Sequence, residues 1–308
     1  MPRAKKAAPR RPAPSLRPRA EIGILGGTGL YEIEGVKDVR EHRLKTPFGA
    51  PSDAYIVGTL DGRRVAFLSR HGRGHRFSPS DVNYRANVYG FKMLGVERII
   101  SVNSVGSLRA EIKPRDFVFA NQFIDKTHRR STFFDQGIAA HVALAEPVCG
   151  SLSLRLYRAA EELAVRAHLG GTYVCMEGPA FSTKAESQMH RLWGGSVIGM
   201  TGATEAKLFR EAEICYATMN LATDYDCWHA EEESVTVDMI LENLRLNIRN
   251  AKAVIRKAVA GLPPAGEEAC GCRTALAGAL VTDPRLISPA ARKRLGLILA
   301  KYVPGGAR

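Results

Sequence analysis

The stretch Ile214-Cys215-Tyr216-Ala217-Thr218-Met219-Asn220-Leu221-Ala222-Thr223-Asp224-Tyr225-Asp226-Cys227-Trp228 decides how the rest of the chain is read. Its first nine residues are mostly apolar, lack Gly and Pro and show no helical period, which suits a strand buried on both faces. Two carboxylates follow at its carboxyl end. Open α/β sheets bind ligands outside that end of their strands, so Asp224 and Asp226, two positions apart, are aimed into one crevice. Two neighbouring negative charges raise the pKa of one member, so the pair can hold a proton and act as a general acid.

Other runs end in the same way. Ile22 to Leu25 reads as a strand that enters Gly26-Gly27-Thr28-Gly29-Leu30, a turn whose amides and Thr28 hydroxyl suit an anion. Its third glycine would fall at Glu32, against the dinucleotide fingerprint, and it has no Gly-Lys-Ser/Thr of a P-loop. Strands at 57–60 and 64–69, around the turn Asp61-Gly62, deliver Arg70-His71-Gly72-Arg73-Gly74-His75, where Arg can grip an oxyanion with two parallel hydrogen bonds. His71 and His75 are spaced like a helical metal pair, but Gly72 and Gly74 oppose a helix and no HExxH occurs, so no metal is expected. A strand at 98–102 runs into Asn103-Ser104-Val105-Gly106-Ser107-Leu108. Further strands are read at 117–120, 122–125, 172–176 and 197–200, the last two feeding Glu177-Gly178-Pro179-Ala180-Phe181-Ser182-Thr183 and Thr201. Helices are expected over 80–94 with Ser80 as N-cap and Gly95 as stop, and over 154–169, 205–213 and 237–259. Ser288-Pro289 opens a C-terminal helix. The pattern predicts an α/β fold.

The bulk numbers bound the function. The chain has 308 residues, 45% hydrophobic and 24% charged, ordinary values for a globular protein. No apolar run approaches the roughly 20 residues that span a bilayer, and no apolar leader core follows the basic start, so neither membrane nor secretion is expected. The net charge of +13 suggests nucleic acid until its distribution is read: seven Lys and Arg and no acid fall within residues 1–20, leaving +6 elsewhere. No specific nucleic-acid partner is expected, and that Pro- and Ala-rich tail reads as disordered. Six cysteines without a CxxC pair point to a reducing compartment, with Cys270 and Cys272 as thiols.

Taken together, Gly26-Gly27-Thr28-Gly29-Leu30, Arg70-His71-Gly72-Arg73, Val82-Asn83-Tyr84, Gly106-Ser107-Leu108, Ala145-Glu146-Pro147, Glu177-Gly178-Pro179 and Thr223-Asp224-Tyr225-Asp226-Cys227-Trp228 resemble the trimeric purine nucleoside phosphorylase family, in its 5'-methylthioadenosine phosphorylase branch, over residues 22 to about 260. The resemblance implies a single-domain mixed central sheet flanked by helices over 21–262, with a C-terminal helical extension over 263–308. It implies that Thr28, Arg70, His71, Asn103, Ser104 and Thr201 hold phosphate, and that Asp224 and Asp226 meet the base at N7 and the 6-amino group. Phe181 would contact the purine, Met200 the ribose, and Val237 and Ile240 the 5'-alkylthio group, with His141 lent by an adjacent subunit of a homotrimer or a dimer of trimers. The implied reaction is phosphorolysis of methylthioadenosine in the cytoplasm, with phosphate as co-substrate and no cofactor; the alternative is methylthioinosine, inosine or guanosine. Asn103, Ala180 and Ala203-Thr204 depart from the Thr, Arg and Val-Pro often found in the family.

Overall fold

The computed structural model of the chain describes residues 20–27, 30, 33–229, 237–264, 267 and 269–303, without the side chains of 237–242 and 244. The basic tail before Ala20 lies outside them. Along the chain run β1 (Ile22–Gly26), β2 (Val36–His42), β3 (Tyr55–Leu60), β4 (Arg63–Ser69), α1 (Tyr84–Leu94), β5 (Arg98–Ser107), β6 (Phe117–Phe119), β7 (Gln122–Asp125), α2 (Gly150–Glu162), β8 (Ala167–Leu169), β9 (Thr172–Cys175), α3 (Lys184–Leu192), β10 (Val197–Gly199), α4 (Gly202–Glu211), β11 (Cys215–Asp224), α5 (Val237–Ala260), α6 (Pro289–Arg294) and α7 (Gly296–Leu299).

The strands form one mixed sheet in the order β2-β3-β4-β1-β5-β10-β9-β7, with β11 joined to β5 and β6, and β6 to β8. All ten residues of β11 are buried, as its apolar run predicts. It lies parallel to β5 from Cys215 opposite Arg98 to Asp224 opposite Gly106, with an irregularity between Ala222 and Asp224. On its other side β5 pairs with β1 only as far as Ser101, and with β10 at Gly106 and Ser107. Between those pairings, Val102 to Val105 have no strand neighbour on that side among the described residues. Among the described residues, the edge of β5 beside Asn103 and Ser104 is therefore left without a strand partner, in a part of β5 that extends past residue 102, where the sequence reading ends the strand.

Two apolar layers cover the sheet. Phe91 and Leu94 of α1 and Leu208 and Phe209 of α4 share one cluster with Ile99 and Tyr216. Leu152 and Leu156 of α2 and Val254 and Ile255 of α5 pack with Ile100, Ala217 and Met219 on the other face. The segment after α5 closes over the first cluster through Leu276, Ile287, Leu295 and Ile298. Its described residues are less helical than expected, with a six-residue and a four-residue helix and two 3-10 turns. Ser288 does cap α6, accepting the Ala291 amide at 3.2 Å.

Two local readings are corrected. The N-cap of α1 is Asn83, whose side chain accepts from the Ala86 amide and donates to the Phe48 carbonyl; Ser80 donates instead to Glu177. Gly95, at φ 81°, ends the helix as expected. The helix expected over 154–169 starts earlier and stops at Glu162, because Ala164 takes a left-handed φ of 54°, and 167–169 becomes a strand beside β6. Among the described residues no helix is long and apolar enough to cross a membrane.

Candidate active site

Four distant segments meet in one buried polar network at the carboxyl ends of the strands. Arg70 follows β4, is 3% exposed, and donates its amide to the Gly26 carbonyl at the end of β1. Its guanidinium forks onto Glu205 of α4 through Nε and Nη2. Nη2 also donates to Ser101 Oγ at 2.8 Å, and Nη1 to the Val102 carbonyl at 3.1 Å. Ser101 Oγ and the Tyr216 hydroxyl donate to Glu205 Oε2 at 2.7 and 3.2 Å. A carboxylate only accepts, so four converging donors suit its two oxygens, and the pair tolerates burial because both charges are met. One Nη1 proton of Arg70 has no partner among the described residues.

The network continues along β5. Asn103 Nδ2 donates to Thr218 Oγ1 at 2.7 Å and Asn220 Oδ1 at 3.2 Å, and Asn103 Oδ1 accepts from Thr201 Oγ1 at 3.2 Å. Thr201 is the N-cap residue of α4, and its side chain makes no capping bond. First-turn amides at a helix start carry partial positive charge and favour an anion. Arg70, Asn103 and Thr201, three of the residues expected at phosphate, are thus assembled in one place. His71 lies beside them, its Nδ1 donating to the Phe77 carbonyl at 2.9 Å and its ring stacked on His75 at 4.3 Å. Burial, followed by the Arg70 charge, lowers its pKa to about 4, so the ring is neutral at neutral pH with Nε2 as an acceptor. Thr28 lies outside the described residues. Ser104 is exposed, 3.4 Å from Thr223 Oγ1, and so stands between this network and the carboxylates.

Asp224 is the last residue of β11 and is 5% exposed. Its Oδ2 accepts from Thr223 Oγ1 at 2.6 Å and its Oδ1 from the Asp226 amide at 2.8 Å. The turn that makes this possible puts Asp226 at φ 52°. Burial first, and then the nearby Asp224 carboxylate, raises the Asp226 pKa. Asp226 Oδ2 is buried without a hydrogen-bond partner among the described residues. Gly106 admits both groups: a Cβ there would lie 3.0 Å from Asp224 Oδ1 and 3.3 Å from Asp226 Cβ. Asn103 and Gly106 are three residues apart on one strand, about 10 Å at 3.3 Å per residue. That is the scale of a sugar with part of a heterocycle.

The remaining wall comes from the loops after β9 and β10. Cys227 Sγ donates to the Ser182 carbonyl at 3.2 Å, which brings Phe181-Ser182 beside the acid pair; Phe181 is 53% exposed. Gly178, at φ 71°, lies against Met200, whose sulfur would sit 2.5 Å from a Cβ there. Arg129 ties this corner together, donating to the carbonyls of Met200 and Glu177 at 2.9 and 2.7 Å. Trp228 Nε1 anchors the end of the turn on the Ser107 carbonyl at 2.8 Å. The side chains of Val237 and Ile240 lie outside the description, although both residues belong to α5. His141 is exposed, its amide bound to the Ala279 carbonyl at 2.8 Å rather than to this network.

Sequence reasoning missed Ser101, Arg129, Glu205, Thr218 and Asn220 as site residues. Thr218 and Asn220 carried a readable signal, since polar side chains within a run buried on both faces must find partners. Glu205 stands one helical turn after Thr201. Arg129 sits in a stretch that reads only as polar loop.

The Phosphorylase superfamily profile matches residues 21–260. S-methyl-5'-thioadenosine phosphorylases from Koribacter versatilis and Geobacter sulfurreducens are each 55% identical, over 92% of this chain and 97% and 99% of theirs. A crystal structure of a methylthioadenosine phosphorylase from an antarctic soil metagenomic library superposes with a TM-score of 0.87 at 46% identity, covering 92% of this chain and 99% of the other. The Schistosoma mansoni methylthioadenosine phosphorylase in complex with adenine gives 0.75 at 37% identity, over 79% of this chain and 91% of its own. With a profile matched over most of its length and relatives at this identity, the chain belongs to the phosphorylase superfamily.

Proposed function

We propose that the protein cleaves 5'-methylthioadenosine with phosphate, giving adenine and 5-methylthioribose 1-phosphate. The observation that carries the reading is β5 itself, which puts Asn103 in the network around Arg70 and Gly106 beside Asp224 and Asp226. Phosphate held by Arg70, Thr201, Asn103, Ser104 and Thr28 lies at one end of that strand segment, and the purine, over Phe181 and against the two carboxyls, at the other. The ribose spans Met200. Neutral His71 can accept the hydroxyl of hydrogen phosphate at Nε2.

A phosphate oxygen forms the new bond to C1' as the C1'–N9 bond breaks, and that electron pair stays on the adenine. Phosphate fixed beneath the sugar acts as an oriented nucleophile and stabilises the cationic sugar centre. The carboxyl pair shares a proton, delivered through Asp224 to N7 as negative charge builds on the base. Asp226, whose Oδ2 is buried without a partner among the described residues, takes an N–H of the 6-amino group. Val237 and Ile240 line the 5'-alkylthio pocket. The scheme needs no cofactor.

We also assign a homotrimer, in which exposed His141 completes a neighbour's site, and a cytoplasmic location, which six free cysteines suit. Incubation with methylthioadenosine should release adenine only when phosphate is present, and Asp224→Asn should lower kcat by about 10² to 10⁴. Adenine release independent of phosphate would overturn the reaction, and near-normal turnover of Asp224→Asn would overturn the proton assignment.

A further inference from the structure

Away from this site, the fold gathers four thiols that the sequence scatters. Cys149 is the residue just before α2, Cys215 opens β11, and Cys270 and Cys272 lie on the segment after α5. Their sulfurs all lie within 4.8 Å of one another, with Cys215 and Cys270 at 3.4 Å. Cys149, Cys215 and Cys272 are buried and Cys270 is half-buried. Four thiolates around a tetrahedral zinc with Zn–S of about 2.3 Å stand about 3.8 Å apart, so only a small contraction separates the cluster from a closed site.

Two features that favour negative charge stand beside the sulfurs. Arg210 Nη1 donates to Cys272 Sγ at 3.7 Å, and its Nη2 to the Glu146 carbonyl, which fixes a cation against the sulfurs. Cys149 occupies the N-cap of the thirteen-residue α2, next to amides that favour negative charge. The Cys149 amide donates to the Tyr216 carbonyl at 2.7 Å and the Cys215 amide to the Glu97 carbonyl at 2.9 Å, so two of the four positions are set by the frame of the sheet. The other two come on a Cys-x-Cys segment that must be brought to them.

We propose that Cys149, Cys215, Cys270 and Cys272 bind one Zn²⁺ in a closed structural site that fastens the C-terminal segment to the sheet. Soft thiolate ligands in tetrahedral array select zinc over hard cations. Binding converts up to four S–H groups into Zn–S bonds and releases their protons, so apparent affinity falls with falling pH. The role is structural, because Cys215 and Asp224 stand at opposite ends of β11, roughly 30 Å apart at 3.3 Å per residue. What the staple holds is the segment through Leu276, Leu295 and Ile298, together with the His141 loop that bonds to Ala279.

The test uses the full chain from zinc-supplemented cells, purified under reducing conditions without chelator, and elemental analysis. One zinc per chain is expected, and Co²⁺ added to reduced apoprotein should give thiolate-to-metal charge transfer with tetrahedral visible bands. Cys270→Ser/Cys272→Ser should retain less than about a tenth of the zinc and melt where chelator-treated wild type melts, with kcat at moderate temperature unchanged. If that variant fails to fold, the cobalt spectrum of wild type still decides. Six free thiols without zinc and without a cobalt spectrum would overturn the proposal, as would titration under denaturing conditions showing these cysteines paired as disulfides.

Discussion

Glu205→Gln isolates the pair on which the phosphate end rests. The substitution keeps the size of the side chain but replaces one acceptor oxygen with an amide donor, at a place where Arg70 Nε, Arg70 Nη2, Ser101 Oγ and the Tyr216 hydroxyl all donate. Arg70 and Glu205 are 3% and 1% exposed, so the guanidinium is left as a buried charge without its counter-ion. Breaking such a pair from one side costs about 3–5 kcal/mol. At roughly 2–4 °C per kcal/mol, the melting temperature should drop by about 6–20 °C. Removing both charges, in Arg70→Met/Glu205→Gln, should cost less than Glu205→Gln alone, because no uncompensated charge remains. Millimolar phosphate should restore part of the loss in Glu205→Gln, by placing an anion beside Arg70, and none in the double variant. The assay is thermal or urea unfolding of the three proteins with and without phosphate. A double variant less stable than Glu205→Gln, or equal phosphate protection in both, would refute the reasoning.

Asp226→Asn removes a carboxyl whose pKa burial has raised, so the free variant should be at least as stable as wild type in urea, while its preference for methylthioadenosine over methylthioinosine collapses; a less stable variant with unchanged preference would contradict this. His71 titrates near 4 in the folded chain against 6.5 unfolded, so the unfolded state takes up the proton first on acidification. Its contribution is complete above pH 6.5 and is lost as pH falls to about 4, up to roughly 3 kcal/mol at 1.36 kcal/mol per pKa unit, and His71→Gln should flatten that part of the stability curve. Gly106→Ala places a methyl 3.0 Å from Asp224 Oδ1 and 3.1 Å from Ile198 Cγ2. It should lower kcat/KM by about 10- to 100-fold through misplacement of the acid, with phosphate protection against unfolding retained.

The parts legible in sequence were those whose local pattern and final environment agree. β11, β1 and the β3–β4 hairpin are apolar runs or alternating strands ended by Asp, Gly or Arg, and each forms where expected. β2 was invisible because Val-Lys-Asp-Val-Arg-Glu-His buries almost nothing and owes its conformation to β3 alongside. α3 buries only Ser187 and His190, so it has no apolar stripe to read, yet Thr183 and Glu186 form a capping box that announces it. For the site, Asp224 and Asp226 were legible as a pair because both follow one strand. The bond of Asn103 to Thr218 depends on register between β5 and β11, and no short-range pattern encodes it.

The partnership of β5 with β11 also sets a timetable for synthesis. Asn103 and Asn220 lie 117 positions apart, and β5 has β1 on one side well before β11 exists to take the other. At about 5–20 residues per second, a ribosome leaves that apolar edge uncovered for on the order of ten seconds. Nascent chains are therefore most exposed to mispairing with one another while residues beyond Ser107 are being made. A chaperone that shields strand edges should raise the yield of native protein more than one that acts on the finished chain.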